Sequence, residues 1–218
     1  MWSIFLKEGT ASMERFEGLN EEKRKRILNA AMGIFSRDGY RKASTNEIIR
    51  EAGISKGILF HYFRSKSVLY EYLYKQSAEL LSERIFEKLD YSVRDPLDRI
   101  RRIVIYKIQL SKEYPSVFEF AKVAYYETDP EVKGIIREYN EAVLSDSYAR
   151  VFQGIDVSCF RPELKPELVL QTMTATLENW SIGYMEQHKT ERIDELNETE
   201  MVAAIEMYID FFRKSFYR

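Results

Sequence analysis

Residues Ser44 to Ser67 read STNEIIREAGISKGILFHYFRSKS, and this stretch decides the fold. Ser44 and Glu47 stand three apart, the spacing of a capping box, and the apolar Ile48 and Ile49 follow, so a short helix is expected from just after Ser44 to about Ala52. Gly53 then permits a tight turn with positive φ. Ser55 is a good N-cap for a second short helix carrying Leu59 and Tyr62 toward a core. Ile48, Ala52, Ile54, Leu59 and Tyr62 fall where two short crossed helices must pack, and Ala52 is small enough to let them approach. Lys56, Gly57, Phe60 and His61 are left on the outside.

Working outward, Asn20 can cap a helix from about Glu21 to about Arg37 whose stripe is Ile27, Ala31, Ile34 and Phe35, with Asp38 and Gly39 ending it. Arg64 and Ser65 break the chain before a long helix from Lys66 to about Leu89. Pro96, Pro115, Pro130 and Pro166 each precede an apolar-periodic segment, where proline suits a helix N-terminus. The implied helices are about 96–112, 115–126, 130–153, 166–188 and 198–217, with 154–165 a loop. No alternating strand pattern stands between turn signals. The chain is expected to be all-α, and three helices in about 45 residues need further support, which the long fourth helix can give.

Composition narrows the function. The 218 residues are 45% hydrophobic and 31% charged, suiting a globular protein, and nine glycines with five prolines favour long helices. Cys159 is the one cysteine, so no intramolecular disulfide forms, which fits a reducing cytoplasm; a small apolar role suits it better than redox sensing. No apolar run reaches the length of a membrane span. The opening Trp2–Leu6 stretch is too short for a secretory signal, and both a packed extension and a start at Met13 fit it. The net charge of −2 hides a strong asymmetry: residues 20–75 hold twelve Lys or Arg against six Asp or Glu, while 76–218 carry −7. A basic head on an acidic body has the footprint of a phosphate-binding surface, although a solvated basic face has the same charge. Short side chains at the start of the Lys56 helix would let its backbone approach a DNA major groove closely. An enzyme is disfavoured. His61 and His188 do not follow a glutamate by three residues, one cysteine rules out a cysteine-rich zinc site, and no glycine-rich phosphate loop occurs. No catalytic residue, metal site or cofactor is therefore assigned.

Thr45, Ile48, Ile49, Ala52, Gly53, Ile54, Ser55, Gly57, Leu59, Phe60, Tyr62, Phe63 and Lys66 fall on the pattern T-x-x-I-A-x-x-A-G-V-S-x-G-x-L-Y-x-Y-F and the basic break after it. The segment Glu21–Lys75 resembles the DNA-binding domain of the tetracycline-repressor (TetR) family; the remaining two-thirds share only the style of amphipathic helices. Ile49 replaces the usual alanine and Phe60 the usual tyrosine, so Phe60 lacks a hydroxyl for DNA. The resemblance implies that Thr45, Tyr62 and Lys66 meet phosphates, with Ser55 and Gly57 at the same helix start. Lys56 and His61 are candidates for base edges. Capping for Thr45 and Ser55, and core packing for Tyr62 and still more for Phe63, are equally simple explanations.

The same resemblance implies a cavity between the helices of the body. Phe118, Tyr125, Tyr126, Tyr139, Met173, Trp180 and Tyr184 are its candidate lining, suited to a flat, hydrophobic or cationic effector, and Glu178 can supply a charge, although an exposed helix glutamate is the simpler reading. The last two helices suit a dimer surface: Ile205, Tyr208 and Phe212 on one, the small Ala175 and Gly183 on the other. A monomeric core explains the same stripe, and the resemblance favours the dimer. The expected organisation is an N-terminal extension (1–19), a helix-turn-helix head (20–66) and an effector-binding and dimerisation body (67–218). The expected protein is a cytoplasmic homodimeric repressor that grips a pseudo-palindromic operator on double-stranded DNA and is released by a small molecule acting through the long helix. Activation instead of repression fits equally. The alternative is a helical adaptor for a protein partner, with the head kept as a fold element.

Overall fold

A computed structural model describes residues 14–188 and 190–218; the Trp2–Leu6 stretch and Met13 lie outside them. After a helical turn at 14–17 come α1 (Glu21–Lys42), α2 (Thr45–Ala52), α3 (Lys56–Tyr62), α4 (Lys66–Glu87), α5 (Pro96–Glu113), α6 (Pro115–Tyr125), α7 (Pro130–Val151), α8 (Pro166–Gln187) and α9 (Glu198–Phe216). The chain is all-α. The 154–165 connection carries a 3-10 turn, Val157–Cys159, and Phe160 makes an isolated antiparallel bridge with Tyr217.

Local chemistry accounts for most boundaries. Asn20 accepts from the backbone N–H of Glu22 at 3.0 Å, and Asp95 caps α5 by accepting from Asp98 at 2.9 Å. Proline opens α5, α6, α7 and α8, at the position whose N–H has no helical partner. Two details differ from expectation. Gly39 kinks α1 instead of ending it, and the helix resumes to Lys42. Ser44 makes no side-chain cap, and the Glu47 carboxylate pairs with Arg37 and Arg50, at 3.0 and 3.1 Å, instead of closing a capping box.

The chain divides into two compact units. The first holds residues up to Glu79 together with Ser116–Asn140, so α6 and the first half of α7 join the head. Aromatic rings bind it: Tyr70 meets Phe35, Tyr40 and Phe120 with centroids 4.9, 5.1 and 5.1 Å apart. Glu127, just past α6, accepts the Tyr40 N–H at 2.9 Å, where the α1 kink leaves that donor without a helical partner.

The second unit holds Leu80–Pro115 and Glu141–Arg218. Its core comes from α5, α8 and α9, with Leu97, Ile100, Met173, Leu177, Ile205 and Phe212 among the buried members. This corrects the assignment of Ile205 and Phe212 to a dimer surface: they are 0% and 1% exposed within a single chain. Tyr208 is half-buried and packs against the same core. The apolar residues that α8 and α9 leave outside are Leu168, Met207 and Phe211, at 60%, 67% and 60% exposure. Ala175 and Gly183 are exposed along the Leu168 side of α8.

One charged group is built into this unit. Arg99 is buried and donates to the carbonyls of Tyr91, Val93, Val151 and Gln153 over 2.6–3.2 Å. The guanidinium thus ties the loop before α5 to the end of α7, and burial lowers its pKa without making it neutral. Arg99→Met strands these carbonyls and should lower the unfolding free energy by about 3 kcal/mol, read from urea denaturation. Arg99→Lys, which has no fork of donors, should recover only part of it, and a loss under about 1 kcal/mol for the methionine variant would contradict this role.

Candidate nucleic-acid interface

The α2–turn–α3 unit is set by its glycine and its buried faces. Ile48, Ala52 and Leu59 are all but fully buried, so the two helices cross with one side sealed. Gly53 adopts φ 64°, ψ 41°, and the Ile54 N–H returns to the Ile49 carbonyl at 3.1 Å. This is the left-handed helix ending that glycine adopts without steric cost. Ser55 then caps α3 by accepting from the Ile58 N–H at 3.4 Å.

What remains outside is a short polar edge. Ser55, Lys56, Gly57 and His61 are exposed, Thr45 opens α2 half-buried, and Phe60 is half-buried with the Lys56 ammonium 5.9 Å from its ring centroid. Gly57 has no internal reason to be glycine: a Cβ there would find only Ser55 Oγ, at 4.0 Å. Glycine inside a helix costs roughly 0.5–1 kcal/mol relative to alanine, so an unforced glycine on an exposed helix edge suits close approach by something outside the protein.

Tyr62 and Lys66 sit differently. Tyr62 is half-buried, its ring 5.4 Å from Phe16, which is fully buried and also contacts Phe63 and Tyr72 at 4.8 and 5.5 Å. Phe63 is core. The Lys66 ammonium donates to the carbonyls of Tyr40, Arg41 and Ala43 at 2.8, 3.3 and 3.4 Å and lies over the Tyr40 ring. A phosphate reaching Lys66 would have to replace one of these. Sequence reasoning missed Phe16, which lay in a stretch read as an extension, although a lone phenylalanine among charged residues at 14–17 was a usable signal.

The candidate effector residues fall in both units. Phe118, Tyr125, Tyr126 and Tyr139 belong to the first, with Tyr125 and Tyr126 well exposed; Met173, Trp180 and Tyr184 belong to the second. Met173 is fully buried in the core of the second unit, and Trp180 lies with its ring centroid 5.6 Å from that of Tyr184. On α5 the core-facing series Leu97, Ile100 and Val104 continues to the buried Ile108, beside an exposed Lys107.

Comparison with known proteins agrees with this geometry. The family model for bacterial regulatory proteins of the tetR family matches residues 27–73. The chain is 23% identical over 171 residues to the HTH-type transcriptional regulator AcrR of Shigella flexneri, covering 76% of this chain and 78% of AcrR. It is 34% identical over 87 residues to the HTH-type transcriptional regulator BetI of Yersinia pestis, covering 39% of this chain and 44% of BetI. Among solved structures it resembles SmeT, the repressor of the Stenotrophomonas maltophilia multidrug efflux pump SmeDEF, with a TM-score of 0.65 and 15% identity over 91% of this chain and 93% of SmeT. SmeT has also been solved with triclosan. Motif, helix order and relatives agree: residues 27–73 match the tetR family of bacterial regulatory proteins, and the chain shares its fold with SmeT.

Proposed function

We propose that this protein is a homodimeric repressor whose segment 20–66 reads a pseudo-palindromic operator and whose segment 67–218 binds a small effector and the second protomer. The observation that carries the DNA reading is the exposed α3 edge, where an unforced Gly57 lies between Lys56 and His61 on a sealed helix pair. Lysine there suits guanine O6 and N7, and histidine suits a base or a phosphate. Thr45, Ser55 and the α3 N-terminus supply donors for backbone phosphates. Phe60 and Tyr62 hold the edge in place from beneath, and Lys66 positions the helices behind it.

The relatives support the wider reading. AcrR and BetI are HTH-type transcriptional regulators, and SmeT is a repressor solved with triclosan. For the dimer, the exposed Leu168, Ala175 and Gly183 of α8 and the exposed Met207 and Phe211 of α9 are the surface residues that a second copy would cover. Among the described residues no helix is long and apolar enough to cross a membrane.

Selection of genomic fragments by the purified protein at near-physiological salt, with non-specific competitor, should recover a pseudo-palindrome. Lys56→Ala with His61→Ala should abolish the sequence preference while leaving thermal stability unchanged, because both side chains are exposed. Gly57→Ala should raise stability by up to about 1 kcal/mol yet weaken operator binding at least about tenfold. An alanine variant that binds operator as well as the unaltered protein would sink the groove-approach reading. Sequence-blind, salt-sensitive binding would reduce the head to a general DNA-affinity module.

A further inference from the structure

Helix α1 is broken at one residue. Gly39 takes φ 69° and ψ 170°, so the chain leaves the helical path and the Tyr40 N–H no longer meets the carbonyl four residues back. Tyr40 is 1% exposed, where an N–H without an acceptor is strongly unfavourable. The acceptor comes from the connection between α6 and α7. Glu127 Oε2 takes the Tyr40 N–H at 2.9 Å, and Oε1 takes the N–H groups of Thr128 and Asp129 at 2.8 and 2.9 Å. One half-buried carboxylate therefore holds three backbone donors, two from its own turn and one from α1. It also lies against the kink itself, with Oε2 3.9 Å from where a Cβ on Gly39 would stand.

The residue it holds is a pivot of the head. The Tyr40 carbonyl accepts from Lys66 at 2.8 Å, and the Tyr40 ring lies 5.1 Å from that of Tyr70 on α4. Only Arg41 and Lys42 complete α1 after Tyr40, and Ala43 and Ser44 then lead directly into α2. A displacement of Tyr40 thus passes along a few residues of backbone into α2, and from there into α3, which crosses α2 over the buried Ile48, Ala52 and Leu59. Charge alone would give Glu127 the opposite role. An anion in a DNA-binding head repels phosphates, so removing it should tighten binding to any sequence.

We propose that Glu127 is a positioning residue for operator recognition: by holding the Tyr40 N–H it sets the angle at which α1 hands the chain to α2. The α6–α7 connection is then part of the DNA-reading apparatus, acting through Tyr40 and not through a contact with DNA. This deepens the operator reading of segment 20–66 and rests on it, adding a residue far outside that segment. The chemistry of the bond separates the variants. Alanine removes both oxygens. Aspartate, one methylene shorter, serves its own turn but loses the reach to Tyr40. Glutamine keeps one acceptor oxygen, so it satisfies either Tyr40 or the Thr128–Asp129 pair and not both.

The test compares, for the full-length protein, affinity for the recovered pseudo-palindrome with affinity for a scrambled duplex of equal length, and follows hydrogen exchange at the Tyr40 amide. Glu127→Ala should weaken operator binding at least about tenfold, keep or raise affinity for the scrambled duplex, and speed exchange at Tyr40. Glu127→Asp should lose operator affinity like the alanine variant, and Glu127→Gln should fall between. If the alanine variant does not fold, the near-isosteric glutamine variant decides, with a loss of at least about threefold expected on the operator alone. The proposal is overturned if these variants bind operator as tightly as the unaltered protein or more tightly, as charge removal alone requires. It is equally overturned if both duplexes are lost in the same proportion, which is the signature of a merely structural bond. Either result, with operator preference intact in the unaltered protein, removes the Glu127 assignment alone. If the unaltered protein itself shows no operator preference, the regulator reading falls and this one with it.

Discussion

The ammonium of Lys66, in the first turn of α4, closes the open end of α1 by donating to the carbonyls of Tyr40 and Arg41 and to that of Ala43, which follows the helix. A helix C-terminus carries unpaired carbonyls and a partial negative charge, so a cation held there is doubly favourable. The contact fixes where α4 starts relative to α1, and α2 and α3 are strung between those two helices. Every side chain on the α3 edge inherits its placement from that joint. Glu127 secures the same corner by taking the Tyr40 N–H, which brings the α6–α7 connection into the head's compact unit.

Two helices have residues in both units. Helix α4 begins at Lys66 within the first unit and ends beyond Glu79 within the second, and α7 likewise belongs to both. An effector held by the second unit would act on DNA binding only if it favoured a packing in which these shared helices place the heads wrongly for operator. Arg99, by contrast, is structural: it is bonded to four carbonyls and ties the loop before α5 to the end of α7.

The helices were legible because their signals are local. Prolines opened four of them, Asn20 and Ser55 capped two more, and Gly53 marked the turn that defines the head. What escaped depends on neighbours distant in sequence. The Ser44–Glu47 pair has capping-box spacing, but Arg37 offers Glu47 a stronger electrostatic partner from another helix. Ile205 and Phe212 share a wide apolar arc with Phe211, and only the packing of α5 and α8 against α9 determines which of them is covered. Lys66 follows the family's DNA-contact pattern, while its carbonyl partners lie more than twenty residues upstream. The α3 edge was read correctly as exposed at Lys56, Gly57 and His61, because a helix of two turns has one face to bury and the rest is outside.

The central claim is that the α3 edges of two protomers enter successive major grooves. It is tested most directly by cleaving operator DNA from an iron chelate attached to His61→Cys in a Cys159→Ser background, which leaves one thiol per chain. The account predicts two symmetric clusters of cleavage about one helical turn apart, roughly 34–36 Å or somewhat more, on the recovered pseudo-palindrome. Cleavage spread evenly along the fragment, or confined to a single half-site, would contradict it.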